Sequence, residues 1–168
     1  MGEYQHVKHS FEPVYNENSR ILILGSLPSV KSRLQGFYYG HPRNRFWKVL
    51  ANLLNCPEPE TIEEKKKMLL ERGIAIWDVI EECDIIGSSD SSIKNVIPAQ
   101  ISRVLSTGQI TAIYANGKTA AGLYRRYLMD DAGMDIIELP STSPANAAYS
   151  LERLVQIWGE RLSIYRKE

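Results

Sequence analysis

The chain has 168 residues, 43 % of them hydrophobic, so it is long enough to bury a core of its own as one domain. Its 20 basic and 20 acidic side chains give a formal net charge of zero, which excludes attraction to nucleic acid or membrane by overall charge and leaves that to a local patch. The two cysteines, Cys56 and Cys83, form no Cys-x-x-Cys pair, which argues against a zinc ribbon or an iron–sulfur cluster.

The first residues, MGEYQHVKHSFEPVYNENSR, contain no apolar signal segment, and no run in the chain approaches the length of a membrane span. We therefore expect a cytoplasmic protein. We also expect a single domain over residues 1–168 in which residues 1–19 are a peripheral segment, with His6 and His9 in a mobile tail.

Four short apolar runs predict β-strands. Nearly every residue in each run is apolar or β-branched, without strict alternation, as in strands that are covered on both faces. The runs are RILILGS (20–26), GIAIWDVI (73–80), TAIYANG (111–117) and DIIELP (135–140).

Helical patterns lie between and after these runs, at residues 44–54, 62–73, 98–107, 118–133 and 150–167. Pro98 suits a first helical turn, Gly133 a helix end and Ser150 an N-cap. Strands that alternate with helices predict an α/β fold, specifically a three-layer α/β/α sandwich around a central four-stranded, mainly parallel sheet.

Ligands of such folds bind outside the carboxyl ends of the strands. The segments of interest therefore begin at Ser26, Asp78, Asn116 and Pro140. The turn GSLPS after the first strand can offer backbone N–H groups to an anion, but it is neither a Walker loop nor a dinucleotide fingerprint. ANGKTA, after the third strand, places Lys118 at a helix start that could meet a phosphate.

The segment after the first strand is basic and aromatic. Between Glu17 and Glu58 there is no acidic residue, and the basic side chains there are suited to neutralising phosphates. Tyr38 and Tyr39 lie between two glycines and could stack on an unpaired base, whereas Phe46 and Trp47 are predicted to begin a helix within the core. The basic residues are Arg20, Lys31, Arg33, Arg43, Arg45 and Lys48, with His41 among them.

Two further strand ends carry polar groups. In LPSTSPANAAYS (139–150), Ser141, Thr142 and Ser143 could donate to phosphates while the prolines stiffen the loop into a wedge. Asp78 could bind a base edge, orient a water molecule or cap a helix.

Three of these segments fall in one order, each at a strand end, and together they resemble the uracil-DNA glycosylase superfamily: GSLPS, YYGHPRNRFWKVL and LPSTSPANAAYSLERL. The run His-Pro-Arg-Asn-Arg-Phe-Trp is the most specific of them and is similar to the mismatch-specific uracil glycosylase branch. The resemblance covers roughly residues 20–158. It implies a monofunctional DNA glycosylase that flips a damaged base out of the duplex and hydrolyses its N-glycosidic bond.

One position departs from the uracil-removing branches. Their first motif carries Asn or Asp, which positions the attacking water, whereas the corresponding residue here is Leu27. In this respect the chain is similar to the hypoxanthine-DNA glycosylase branch, which removes deaminated adenine. That resemblance implies that Asn44 takes the polar catalytic role, and that neither a cofactor nor a metal is needed.

The resemblance also implies sets of binding residues on a monomer that acts on double-stranded DNA containing a deaminated base. The expected base-binding residues are Ser26, Leu27, Pro28, Ser29, Tyr38, Tyr39, His41 and Asp78. The expected DNA-binding residues are Arg43, Arg45, Lys118, Ser141, Ser143, Pro144 and Asn146.

Several alternatives stay open at this point. A uracil or mismatch glycosylase could place water through Asn44 or Asp78, a non-catalytic module could bind damaged DNA, and an α/β domain could bind a small nucleotide. The sequence does not decide whether Asn44 holds water or the base, and it leaves the roles of Asp78 and Asp90 open.

Overall fold

The computed structural model describes residues 2–107 and 109–162, and within them seven strands form two sheets. In chain order the strands are β1 (Gln5–Lys8), β2 (Ile21–Gly25), β3 (Ile74–Asp78), β4 (Ile80–Ile85), β5 (Lys94–Pro98), β6 (Ala112–Asn116) and β7 (Ile137–Leu139).

The central sheet has the order β3-β2-β6-β7, and all of its strand pairs are parallel. Every residue of β2 and β3 is buried, so both faces of the sheet are covered where these strands run. The predicted α/β fold with a four-stranded parallel sheet is confirmed.

The second sheet was not predicted. It is antiparallel with the order β1-β4-β5. Its strand β4 starts at Ile80, directly after β3 of the central sheet ends at Asp78. The predicted strand over residues 73–80 thus merges the end of one strand with the start of another. The signal was weak because β4 carries Glu81, Glu82 and Asp84 among its apolar residues.

The N-terminal segment takes part in both sheets. Strand β1 pairs with β4, and Val14 forms a bridge with Ile76 on the outer side of β3 through two hydrogen bonds of 3.0 Å. The prediction that His9 lies in a mobile tail is wrong, because its side chain is buried and bonded to Asp78. This segment covers an otherwise open edge of the central sheet.

Seven helices surround the sheets within the described residues. They are α1 (Val30–Gln35), α2 (Phe46–Leu54), α3 (Ile62–Glu71), α4 (Ser102–Leu105), α5 (Lys118–Tyr127), α6 (Met129–Ala132) and α7 (Leu151–Arg161). In this part of the chain, none of them combines the length and the apolar character needed to cross a membrane.

Two helix predictions need correction, and part of a third is not tested. Pro98 ends β5 instead of beginning a helix, since an edge strand tolerates a residue without an N–H, and only Ser102–Leu105 of the predicted span is helical. The span 118–133 divides at Leu128 into α5 and α6, although Gly133 ends it with φ 73° as predicted. The predicted continuation of the last helix over residues 163–167 lies outside the described residues.

Local capping explains the remaining boundaries near the cavity. Ser150 caps α7 by accepting a hydrogen bond from the Arg153 N–H, as predicted. The unpredicted helix α1 lies in the basic segment, where Ser29 caps its start and Gly36 ends it with φ 76°. Phe46 and Trp47 are buried in the core at the start of α2, which confirms their prediction.

Candidate active site

A cavity of about 470 Å³ opens at the carboxyl edge of the central sheet, with walls from the segments that follow all four parallel strands. The predicted site residues in its lining are Ser26, Leu27, Pro28, Ser29, Tyr38, Tyr39, Asn44, Asp78, Lys118, Ser141 and Ser143. The predicted residues outside its lining are His41, Arg43, Arg45, Pro144 and Asn146.

The floor of the cavity depends on a close approach to Gly25, the last residue of β2. A Cβ atom there would lie 2.5 Å from Oδ1 of Asp78 and 3.1 Å from the Tyr39 hydroxyl. Glycine is therefore required at this position, because any side chain would displace two polar groups that meet above the Cα atom.

Tyr39 contributes an aromatic wall. Its backbone has φ 53°, a conformation uncommon for residues other than glycine, and its ring stacks on Phe46 with centroids 4.0 Å apart. Its buried hydroxyl has no hydrogen bond of ordinary geometry among the described residues. Burial raises the pKa of this hydroxyl and the Asp78 carboxylate adds to the effect, while the nearby Asn116 side chain acts in the opposite direction.

The Tyr38 side chain is more deeply buried in the core than expected for a surface on which a base stacks. Its side chain is 2 % exposed, its hydroxyl donates to the Glu12 carbonyl, and its ring packs edge-on against Phe11 and Phe37. Leu27 packs partly against the apolar cluster beneath the second sheet and brings no polar atom to the cavity. Neither residue offers a free side-chain polar group at this wall.

A chain of hydrogen bonds fixes the side chain of Asn44. The Phe46 N–H donates to Oδ1 of Asn44 over 3.0 Å, and the Thr142 N–H donates to Oδ1 of Asn116 over 3.0 Å. These two backbone donors settle both amide orientations. Nδ2 of Asn116 then donates to the Thr142 hydroxyl over 3.0 Å, and that hydroxyl donates to Oδ1 of Asn44 over 2.7 Å.

The direction of these hydrogen bonds determines which group of the Asn44 amide is left to bind a ligand. Its Oδ1 already accepts two hydrogen bonds, which uses both lone pairs of the carbonyl oxygen. Its Nδ2 has no hydrogen-bond partner within residues 2–107 and 109–162, and the residue lines the cavity. Asn44 therefore presents a donor, not an acceptor, to whatever enters.

Arg45, predicted to contact phosphate, makes its hydrogen bonds within the protein. One guanidinium nitrogen donates to the carbonyls of Ser143 at 2.9 Å and Asn146 at 3.1 Å, and another donates to the Tyr149 carbonyl. The Arg45 N–H also donates to the Thr142 carbonyl over 3.0 Å. With these donors in use, Arg45 shapes the loop after β7.

The same loop explains Asn146, and a neighbouring turn explains His41. Nδ2 of Asn146 donates to the Ser141 carbonyl, so this side chain closes the loop upon itself. Nδ1 of His41 accepts a hydrogen bond from the Arg43 N–H, so the imidazole stabilises a turn outside the cavity lining, and its predicted contact with the base stays a prediction. The Arg43 side chain and Pro144 are exposed, as contacts with a polymer would require.

The groups predicted to meet phosphate differ in accessibility. Lys118 is exposed at the start of α5 and at the cavity. Ser141 and Ser143 accept hydrogen bonds from backbone N–H groups of their own loop, which leaves each hydroxyl proton available to donate. Thr142 is fully buried, so the prediction that it donates to phosphate alongside these serines is wrong.

A buried pair of opposite charges lies behind the cavity. Nε2 of His9 is 2.8 Å from Oδ2 of Asp78, and both side chains are at most 4 % exposed. Burial by itself would lower the pKa of His9, but the hydrogen bond with Asp78 and the negative charges of Asp78 and Glu81 raise it above its ordinary value. The imidazole consequently stays charged to higher pH than a solvent-exposed histidine.

Sequence reasoning missed the supporting residues more than the lining. Asn116 stood at an expected strand end, which was a usable signal, and Thr142 lay in a flagged loop. His9 had no local signal, because it reaches the Asp78 carboxylate from the N-terminal segment, 69 residues earlier in the chain.

Comparisons with known proteins agree on one family. The model of the family described as the uracil DNA glycosylase superfamily matches residues 12–160. A protein of Methanosarcina acetivorans named hypoxanthine DNA glycosylase is 36 % identical over 88 % of this chain and 93 % of its own length. A protein of Methanosarcina barkeri with the same name is 34 % identical over 91 % of this chain and 96 % of its own.

A solved structure is similar as well. The solution NMR structure of a Methanosarcina acetivorans protein, provisionally named a uracil DNA glycosylase, superposes with a TM-score of 0.76 at 34 % identity. The match covers 93 % of this chain and 94 % of the other.

The His9–Asp78 pair predicts a pH-dependent stability. The pKa of His9 is raised on folding. The pair's contribution to the free energy of unfolding is therefore complete below pH 6.5 and is lost as the pH rises through the raised pKa. We expect Asp78→Asn to unfold more easily, by at most about 3–5 kcal/mol at the acid end of the window. The difference in free energy of unfolding between this variant and the native protein should become smaller towards alkaline pH. Urea unfolding followed by tryptophan fluorescence measures it.

Asp84→Asn is the matched control for this measurement, because Asp84 bonds His6 over 2.9 Å at an exposed site. Solvent screens that pair, so its removal should change stability little at any pH. If the free energies of unfolding of the native protein and Asp78→Asn differ by the same amount from about pH 5.5 to 8.5, the raised pKa assigned to His9 is contradicted.

Proposed function

The chain belongs to the uracil DNA glycosylase superfamily, and from that membership we propose that it excises hypoxanthine from DNA by hydrolysing the N-glycosidic bond of deoxyinosine. One observation carries the proposal: the Asn44 amide, the Tyr39 ring and the Asp78 carboxylate meet in a single cavity where the first-motif position is Leu27. Leucine cannot hold the attacking water as Asn or Asp would. The two named relatives support hypoxanthine as the base.

The base must leave the duplex to reach the cavity, at a cost of a few kcal/mol that is smallest for a mispaired base such as hypoxanthine opposite thymine. A volume of about 470 Å³ suits a purine together with part of its sugar. Phe46 holds the Tyr39 ring in place, so a flipped base can stack on a rigid surface.

The polar floor suits the edge of a deaminated purine. Hypoxanthine carries a ring N1–H beside a C6 carbonyl, whereas adenine carries a bare N1 beside an amino group. Oδ1 of Asp78 has no hydrogen bond among the described residues and can accept from N1–H, while the Tyr39 hydroxyl above the same Gly25 can donate to the carbonyl. With adenine in the cavity, the bare N1 and Oδ1 of Asp78 would be two acceptors facing each other.

Asn44 is proposed to act on the departing base. Cleavage leaves an oxocarbenium-like sugar and places negative charge on the purine, and a fixed donor aimed at that charge stabilises the transition state. Nδ2 of Asn44 is such a donor, since its Oδ1 is held by Thr142 and Phe46. A purine departs readily when a ring nitrogen is protonated, so this site can act without a carboxylate at position 27.

Exposed groups around the cavity are proposed to hold double-stranded DNA. Arg43 and Lys118 supply positive charge, and the hydroxyls of Ser141 and Ser143 donate to phosphate. The loop tip around Pro144 is proposed to enter the space left by the flipped nucleotide, with Arg45 keeping its shape. One such clamp serves one lesion, so we propose that the protein acts as a monomer.

The proposed function is tested by single-turnover excision from duplexes that contain deoxyinosine, deoxyuridine or deoxyxanthosine. We expect abasic sites from deoxyinosine opposite thymine, and slower or no cleavage of uracil because Leu27 positions no water. Cleavage of uracil without cleavage of hypoxanthine would overturn the proposal in favour of a uracil or mismatch glycosylase. Tight binding of deoxyinosine duplexes without abasic sites would instead indicate a damage-binding module.

Asn44→Asp separates the two roles considered for Asn44. The carboxylate keeps an acceptor for the Phe46 N–H and the Thr142 hydroxyl but removes the Nδ2 donor. We expect the single-turnover rate on deoxyinosine to fall at least about 100-fold, as on loss of one oxyanion-hole donor, with little change in DNA affinity.

Asn52→Asp, an exposed change on α2, is the matched control and should retain the native rate. A rate for Asn44→Asp near or above that of the native protein would show that position 44 works as an acceptor that orients water.

Lys118→Gln tests the proposed phosphate contact. Loss of one contact should weaken DNA binding about equally for undamaged and deoxyinosine duplexes, and should reduce the slope of log Kd against log salt concentration by about 1. Fluorescence anisotropy over a salt series measures this. Lys67→Gln on α3, an exposed lysine away from the cavity, should leave the slope unchanged; equal slopes for the native protein and Lys118→Gln would remove Lys118 from the interface.

A further inference from the structure

The catalytic chemistry above makes no use of His9, although it is one of the few buried polar residues of the core. Its Nε2 contacts Oδ2 of Asp78 at 2.8 Å, and since a carboxylate only accepts, Nε2 must carry the proton in either charge state of the imidazole. The donor is therefore permanent.

The surroundings hold this imidazole in one place. Its backbone N–H donates to the Glu81 carbonyl over 2.7 Å, and its ring lies 4.7 Å from the Phe11 ring and 5.9 Å from the Tyr38 ring. The charged groups that act on it are Asp78 on β3 and Glu81 on β4. These contacts position the ring beside the Asp78 carboxylate.

A fixed donor on one carboxylate oxygen determines what the other oxygen can do. With Oδ2 bound to His9, Oδ1 projects over Gly25 towards the Tyr39 hydroxyl and the cavity. Without His9, the plane of the carboxylate could rotate about the Cβ–Cγ bond, and no oxygen would be held pointing into the cavity.

We propose that His9 is a positioning residue that aims Oδ1 of Asp78 at the ring N–H of the flipped base, and so sets the preference for a base with that N–H beside a carbonyl. This inference rests on the proposed function and adds a specificity-determining residue to it. The preference arises because an oriented acceptor gains a hydrogen bond from hypoxanthine but faces a lone pair in a base whose N1 is bare.

The test compares two substrates that differ at this edge. Deoxyinosine has the N1–H and the carbonyl, and deoxynebularine, whose base is unsubstituted purine, has neither. We expect His9→Leu to reduce the ratio of single-turnover rates, deoxyinosine over deoxynebularine, at least about tenfold, the loss of one buried hydrogen bond to a charged group. His9→Gln, whose amide can still donate to Oδ2, should restore most of the ratio.

Two further variants isolate the pathway through Asp78. His6→Leu removes an exposed histidine of the same segment and should leave the ratio at its native value. In an Asp78→Asn background, His9→Leu should cause no additional loss of ratio, since the effect of His9 passes through that carboxylate. An equal slowing of both substrates in His9→Leu, or failure of His9→Gln to restore the ratio, would overturn the inference and leave His9 a structural residue.

Binding of the free bases separates this inference from the proposed function. If the native protein excises neither base, the proposed function fails, but NMR titration with hypoxanthine and with purine still reports on the floor of the cavity. Tighter binding of hypoxanthine that is lost in His9→Leu would support the role of His9 without catalysis. Equal binding of the two bases by the native protein would overturn it.

Discussion

The arrangement of the site depends on one buried hydroxyl. Thr142 has no solvent exposure, receives a hydrogen bond from Asn116 and gives one to Asn44, so the loops that follow β2, β6 and β7 meet at its Oγ1 atom. Its backbone adds a donor to Asn116 and an acceptor for Arg45. Every polar group of this residue has a partner, as a buried position requires. A fully satisfied network of this kind holds Asn44 rigidly.

The same network assigns opposite tasks to two neighbouring residues of one motif. Asn44 turns its amide nitrogen towards the cavity, while Arg45, next in the chain, turns its guanidinium to the carbonyls of residues 143, 146 and 149. Arginine suits the second task because its planar group carries five donors in a fixed geometry. The chemistry of the proposed cleavage and the shape of the proposed wedge are therefore coupled through a single peptide unit.

Much of the central sheet and most of the cavity lining could be predicted from the sequence. Four apolar runs identified the parallel strands, and their topology placed Ser26, Asp78 and Asn116 at one edge. The second sheet was missed because β4 and β5 mix charged and apolar residues, so tertiary pairing and not local pattern forms them. The carbonyl partners of Arg45 were missed for a related reason: a basic residue in a basic segment gives no sign of contacts with carbonyls about 100 positions later. Likewise, nothing near His9 indicated a contact with a carboxylate at the end of β3.

Because His9 lies on the N-terminal segment, its contact with Asp78 exists only while that segment stays docked on the two sheets. The segment that carries it is held by the antiparallel pairing of β1 and by the bridge at Val14, which lie at sheet margins where local opening costs less than global unfolding. An opening of that margin would withdraw the imidazole and leave the Asp78 carboxylate without its buried partner while β2, β6 and β7 remain paired. The molecule can thus lose the proposed recognition of the base edge before it loses its fold, and the local stability of residues 5–14 sets how often that happens.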